Sequence, residues 1–397
     1  MKYFYIKAFA SRRIQAGEKL LLLEDFEDSY DIEDAPEGMI IFIADREHHF
    51  KGQAVIGRQN KGFAWVFSLN HEDLWSKELF RLYLEEAIEH RQLLFNDPTT
   101  TGFRLFNGEG DGIGGLSIDW YDHFIQINWY SRGAYKYKDW WIENLLESTI
   151  NVEGIYETKR FDLDSTEEAI CHVTGKKASQ PIIIKERERN YAVYLGEDWM
   201  TGIFFDQREV RQFVQEQAQG MSVLNLFSYT GAFSIAAGLG GASKTTSVDV
   251  ANRSFDLTKE NLSINDLKTN NDWNEIRIMD VFDYIDYAKR TSKDFDMVIC
   301  DPPSFARTKK YVFSAITDYL NLAIDLFRIT KPGGLCILST NHSNYTKEKF
   351  IEDMNEAGRL SGKKVQLIQS FGLPDDYPTS EDPSSAYLKV LVYYCAE

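Results

Sequence analysis

The sequence predicts an α/β fold: a doubly wound parallel sheet in the second half, preceded by a small α+β segment and an N-terminal small β-barrel. Three observations carry this. From about residue 200, near-continuous apolar runs alternate with helical stretches, as expected of parallel strands buried on both faces. Residues 1–72 show short apolar or alternating runs punctuated by Gly17, Gly38, Gly52, Gly57 and Gly62, the pattern of a small barrel. Between them, a stretch of helical period gives way to Gly-rich and hairpin-like sequence. The expected domains are 1–72, 73–198 and 199–397.

The N-terminal strands are read from LLLLED, MIIFIADR, GQAVIGRQ and GFAWVFS. Residues 74–95 follow a helical period, with Leu74, Phe80, Tyr83, Leu84, Ile88 and Leu94 near one face. RLFNGEGDGIGGLSIDWYDHFIQINWY predicts two strands around a Gly-rich turn, YKDWWIENLLESTI a helix, and PIIIKERERNYAVYL a hairpin turning at Arg189-Asn190. The five buried strands of the second half are SVLNLF, TTSVDV, EIRIMD, DMVICD and GLCILST, with Pro332-Gly333-Gly334 expected to stop the helix before the last.

Of the 397 residues, 43% are hydrophobic and 26% charged, enough for a sizeable core in each domain. No apolar run reaches the ~20 residues that cross a bilayer, and MKYFYIKAFASRRIQ lacks a secretory pattern. The four cysteines, Cys171, Cys300, Cys336 and Cys395, form no C-x-x-C pair, which points to a reducing cytoplasm. The seven histidines show no metal spacing, so no metal is expected. A net charge of −17 tells against a global basic field for nucleic acid but leaves room for a local basic groove.

In open α/β sheets, ligands bind beyond the carboxyl ends of the strands. The first strand ends in Asn225-Leu226-Phe227, and Ser228-Tyr229-Thr230-Gly231-Ala232 opens a helix there. An ordinary βα turn would explain this much. However, the second strand ends in Asp249-Val250, placed for two ribose hydroxyls, the third in Asp280-Val281, suited to an adenine ring, and the fourth in Asp301. A nicotinamide cofactor would need G-x-G-x-x-G for its pyrophosphate. The loop FSYTGAFS has one glycine and two aromatics, which favours S-adenosylmethionine, with S-adenosylhomocysteine as its product.

Asp301-Pro302-Pro303-Ser304-Phe305 follows the fourth strand. Prolines are common at strand exits. Here they also rigidify the loop, leave carbonyl acceptors facing the methyl donor, and present Phe305 to stack a base swung out of its helix. Arg307, Lys309 and Lys310 come next and read equally as a solvated run or as a phosphate clamp. Lys159-Arg160, Lys176-Lys177 and Lys185-Arg187-Arg189 are weaker basic candidates.

LNLFSYTGAFSIAAGLGGASKTTSVDV, MDVFDYI and DMVICDPPSFARTKK resemble the bacterial large-subunit ribosomal RNA methyltransferases. TGIFFDQREVR looks like the segment that precedes and lids the cofactor in that family. FRLFNGEGDGIGGLSIDWY is similar to its middle domain, and the N-terminal strands resemble its PUA barrel. The resemblance implies a class I, Rossmann-like methyltransferase domain acting on ribosomal RNA. It places cofactor contacts at Phe227, Ser228, Tyr229, Thr230, Asp249, Asp280, Val281 and Asp301, with Gln207 and Arg208 beside them. A homodimer is compatible with the sequence, and no membrane partner is expected. Small-molecule or protein methylation, or a cofactor-binding RNA-assembly role without turnover, are the alternatives.

The three-part layout resembles the cytosine-C5 members of the family, whereas the catalytic domain resembles the guanine-methylating members equally well. Attack at C5 requires a thiolate to add first at C6. The expected places read Asp301-Pro302-Pro303-Ser304 and Ser339-Thr340-Asn341-His342, and neither holds a cysteine. Strand alternation points Cys300 away from the site, and Cys336 should be buried mid-strand. The layout therefore points to cytosine C5 and the missing thiol to a nitrogen, with guanine the expected base.

Overall fold

The computed structural model describes residues 2–60, 62–270, 272–307 and 310–396, so Lys309 lies outside the described residues. It comprises two compact units: Met1–Ile184 with Val193–Thr201 and Asp375–Ser385, and Lys185–Ala192 with Gly202–Pro374 and Ala386–Glu397.

The first unit contains two five-stranded sheets. In the N-terminal one the strands run in the order Lys2–Tyr5, Ile40–Ala44, Phe50–Gln59, Gly62–Ser68, Leu20–Leu22. Phe4, Ile6, Ile41, Ile43, Ile56 and Val66 form its core. The sequence reading gave only strands here. The structure adds a helix over Ala8–Ala16, whose buried face is Ala10, Ser11 and Ile14 and which ends at Gly17 with φ +111°. Its three buried positions are too few to show a period.

In the second sheet the order is Ile170–Gly175, Gly154–Lys159, Phe124–Trp129, Leu116–Tyr121, Gly102–Phe106. Helices Lys77–His90 and Lys138–Glu147 contribute Phe80, Leu84, Trp141 and Leu145 to its core. The first helix starts later than its period suggested, because Ser76 caps it by accepting from the Leu79 N–H at 3.3 Å. Leu74 lies before the cap and is 66% exposed. Buried Arg91 ends that helix by pairing with Asp111 at 2.6 Å and donating to the Asp376 carbonyl at 2.8 Å. Asp376 also accepts from the Arg104 N–H at 2.9 Å. These bonds explain why Asp375–Ser385 clusters with the first unit.

The second unit carries a seven-stranded sheet: β1 (Ser222–Leu226), β2 (Lys244–Asp249), β3 (Asn274–Ile278), β4 (Phe295–Cys300), β5 (Thr330–Thr340), β6 (Val365–Phe371) and β7 (Lys389–Cys395). The order is 3-2-1-4-5-7-6, with β1 to β5 mutually parallel and β7 antiparallel to both its neighbours. Alternate residues feed two cores. Leu224, Leu226, Val298 and Leu338 pack into one, and Val223, Met297, Ile299 and Ile337 into the other. Burial on both faces is what makes the strand runs continuously apolar. The helices are α1 (Arg208–Gln217), α2 (Ala232–Leu239), α3 (Arg253–Ser263), α4 (Val281–Arg290), α5 (Ala315–Arg328) and α6 (Lys347–Ser361).

Two sequence-based boundaries shift. Strand β5 begins at Thr330, so Pro332-Gly333-Gly334 lie within its first residues, opposite a register irregularity between Phe295 and Met297. The hairpin of Ile182–Glu186 and Arg189–Val193 turns at Arg187-Glu188, both left-handed at φ +48° and +68°, and not at Arg189-Asn190. No helix among the described residues is long and apolar enough to cross a membrane.

Candidate functional site

Parallel pairing sets the carboxyl ends of β1 to β5 along one sheet edge, and the loops leaving them build the site. Between β1 and α2, Phe227, Tyr229 and Gly231 are all left-handed, at φ +56°, +50° and +77°. Two of these are non-glycine residues, and such strain persists only where surrounding bonds fix it. Those bonds are present. The Ser228 N–H donates to the Val248 carbonyl at 3.0 Å, and the Tyr229 N–H to Asp249 Oδ2 at 2.9 Å. The Thr230 hydroxyl donates to the Gly202 carbonyl at 2.7 Å, while Asn261 Nδ2 donates to the Thr230 carbonyl at 3.0 Å. The loop is thus tied to the end of β2, to α3 and to the segment before α1.

A Cβ on Gly231 would sit 2.5 Å from Thr258 Cγ2 at a left-handed backbone position. The left-handed conformation alone costs an L-residue ~1–2 kcal/mol. Gly231→Ala is therefore expected to lower the melting temperature by several degrees, at about 2–4 °C per kcal/mol for a unit of this size. Thermal unfolding checks this, and an unchanged midpoint would show that the loop tolerates a side chain.

Asp249 closes β2, and its second oxygen accepts from the Ala251 N–H at 2.9 Å. Val250 is 56% exposed beside it. Asp280 caps α4 by accepting from the Phe282 N–H at 3.0 Å. Val281 packs in the core with Leu226 and Val248.

Asp301 leaves β4 half-buried and accepts a very short hydrogen bond from the Ser339 hydroxyl. Burial pushes its carboxyl up to about 6. The Ser339 bond opposes the rise, and the Asp206 carboxylate adds to it. Gln207 Nε2 donates to Ser339 Oγ at 3.4 Å. Gln207 Oε1 is buried with no partner among the described residues. A buried acceptor left open beside a carboxylate suits an ammonium or hydroxyl donor, so the residues fit an amino-acid moiety such as that of S-adenosylmethionine.

Pro302 is buried and Pro303 exposed. Phe305 is 61% exposed on a short hairpin of Phe305–Arg307 and Val312–Ser314. Arg307 is exposed on the same strand. Lys310 is ion-paired with Asp283 at 2.9 Å, so a phosphate there would compete with that carboxylate. His49 gathers with Asp45 and Glu47 at the surface, where Lys51 already pairs with Asp45 at 3.0 Å.

Sequence reasoning missed the charge cluster that anchors the segment before β1. Glu186 at the hairpin end is 0% exposed and faces three arginines. Arg211 Nε lies 2.8 Å away, Arg189 Nη2 3.2 Å, and Arg208 Nε 4.0 Å. Arg211 also donates to the Phe204 carbonyl at 2.8 Å. Together these cations hold the Glu186 carboxyl down at about 2 despite its burial. Arg208, expected beside the cofactor, and Arg189, a weaker basic candidate, both join this cluster. The charged run K-E-R-E-R reads as surface in one dimension, so no sequence signal separated the buried members. Asp206 and its partner Tyr387, whose hydroxyl donates at 2.8 Å, were likewise unmarked.

Comparisons agree with this architecture. A family model described as S-adenosylmethionine-dependent methyltransferase matches residues 157–394, and one described as PUA-like matches residues 4–69. A Bacillus subtilis protein named as a ribosomal RNA large subunit methyltransferase is 42% identical over 396 residues, covering 99% of each chain. Ribosomal RNA large subunit methyltransferase I of Shewanella frigidimarina is 28% identical over 361 residues, 89% of this chain and 90% of that one. A methyltransferase crystallised with SAH superposes with a TM-score of 0.91 at 34% identity, covering 99% of this chain and 100% of its own. The chain belongs to the S-adenosylmethionine-dependent methyltransferases, with a PUA-like domain ahead of the catalytic one.

Proposed function

We propose that this enzyme methylates a base of large-subunit ribosomal RNA in the cytoplasm, at a ring or exocyclic nitrogen, most naturally of guanine. The observation that carries the RNA reading is Phe305, exposed on the loop that leaves β4 beside Asp301. A stacking platform there suits an unstacked base, and both relatives quoted carry ribosomal RNA in their names.

S-adenosylmethionine supplies an electrophilic methyl group on a sulfonium. Asp249 accepts the ribose hydroxyls, and Asp280 with Val250 borders the adenine. Backbone groups of Phe227 to Gly231 line the amino-acid end, together with Gln207 Oε1. Asp301 and the Pro302 and Pro303 carbonyls hold the base nitrogen, with Asp301 placed to take its proton. Phe305 stacks the base, and Arg307 meets phosphate.

The choice of nitrogen rests on the thiols. Cys300, Cys336 and Cys395 are 0% exposed. Burial pushes the first two well up and the third to about 11. Cys171 bonds Glu157 in the second sheet of the first unit, and burial pushes its thiol to about 11. None is a thiolate at neutral pH. RNA carrying 5-fluorocytidine is therefore expected to leave no denaturant-resistant complex. An adduct lost on mutating Cys300 or Cys336 would contradict the nitrogen assignment. Labelled cofactor should mark unmodified large-subunit RNA and leave small-subunit RNA unmarked, and labelling of neither would reject the RNA substrate.

A further inference from the structure

We infer that Ser304 and Asn341 form a hydrogen-bonding pair that contacts and orients the target base. This deepens the base-methylation reading and rests on it. The two residues lie on different loops, after β4 and after β5, yet the Ser304 hydroxyl donates to Asn341 Oδ1 at 2.6 Å. Asn341 is exposed. The bond fixes the polarity of the pair. The Ser304 hydrogen is spent on Asn341, so Ser304 Oγ remains an acceptor and Asn341 Nδ2 a donor. Nδ2 has no partner among the described residues. A donor beside an acceptor matches a base edge on which a carbonyl oxygen stands next to an N–H.

Both halves are held from behind. The Ser304 carbonyl accepts from the Ala315 N–H at 3.0 Å, at the start of α5. The His342 carbonyl accepts from buried Lys389 Nζ at 3.1 Å and from the Tyr345 N–H at 3.0 Å. The pair is thus preorganised beside Asp301 and Phe305, in the loops that leave the neighbouring strands β4 and β5. It supplies orientation and no nucleophile, which suits direct attack by a base nitrogen.

The decisive variant is Asn341→Asp. A carboxylate still accepts from Ser304, so the internal bond survives, but the donor is lost and an anion faces the base carbonyl. We expect unchanged melting temperature and unchanged S-adenosylhomocysteine affinity, with kcat/KM for large-subunit RNA lowered at least about tenfold. Asn341→Ala and Ser304→Ala should each lower it about tenfold, as loss of one hydrogen bond implies. Parent-like turnover by Asn341→Asp would overturn the pair as a base contact and leave it a loop staple. If the parent protein itself methylates no ribosomal RNA under the same conditions, the function reading falls and this inference falls with it.

Discussion

Asp301→Asn is expected to lower methyl transfer by at least a hundredfold while making the protein more stable at pH 8. The first effect follows from the role proposed for the carboxylate. A positioned proton acceptor contributes about 10²–10⁴ to rate, and an amide cannot take the proton. The second follows from burial, which raises the Asp301 carboxyl from 3.8 to about 6. A folded-state value above the unfolded one means that charge is disfavoured in the folded protein. Above pH 6 the folded state carries that cost in full, roughly 2–3 kcal/mol for a shift of this size. As pH falls from 6 to 4 the folded carboxyl binds its proton first, and the cost disappears. The stability difference between variant and parent should therefore be largest above pH 7 and close to zero at pH 4. Melting temperatures of both proteins across that range measure it. A variant less stable than the parent at pH 8 would show that the bond from Ser339 outweighs desolvation.

Glu186→Ala should strongly destabilise the second unit. Removing one partner of a buried ionic cluster leaves uncompensated charge and costs ~3–5 kcal/mol. Here it removes the paired carboxylate from Arg189 and Arg211, whose side chains are 1% and 2% exposed and keep only neutral acceptors in Gln212, Gln215 and the Phe204 carbonyl. At about 2–4 °C per kcal/mol, the midpoint should fall by roughly 10 °C. Because the folded Glu186 carboxyl is held at about 2, its contribution is complete above about pH 5 and is lost as pH falls toward 2. Parent and variant should therefore converge in acid. Arg211 also fixes the Phe204 carbonyl, and Thr230 fixes that of Gly202, so cofactor affinity should weaken along with stability. Equal midpoints at pH 7 would mean that the arginines find water or other acceptors.

The two largest effects differ in how far the sequence announced them. The positions of Asp249, Asp280 and Asp301 were legible because each stands at or just past the carboxyl end of a strand candidate, and parallel strands place those ends along one edge. Phe305 was legible as a candidate because it follows the proline-containing exit of the fourth strand, beyond the buried run. Glu186 was not, because its arginines come from the hairpin and from α1, and only the fold converts a solvent-like run of charge into a buried cluster. The Ser304–Asn341 bond spans two strand exits and has no local signature. The helix Ala8–Ala16 and the cap at Ser76 were missed for a smaller reason: periodicity is blind to short helices and imprecise at ends.

In the proposed reaction the strand-end site transfers a methyl group from S-adenosylmethionine to a base nitrogen of large-subunit RNA. The direct measurement is nucleoside mass spectrometry on ribosomal RNA from a strain lacking this gene, before and after incubation with the protein and labelled cofactor. Label is expected in a single N-methylated nucleoside, a guanosine, from the large-subunit RNA, with at most about a hundredth of it when Asp301→Asn replaces the parent. Label recovered as 5-methylcytidine would contradict the nitrogen assignment, and no label in any ribosomal nucleoside would rule out ribosomal RNA as the substrate.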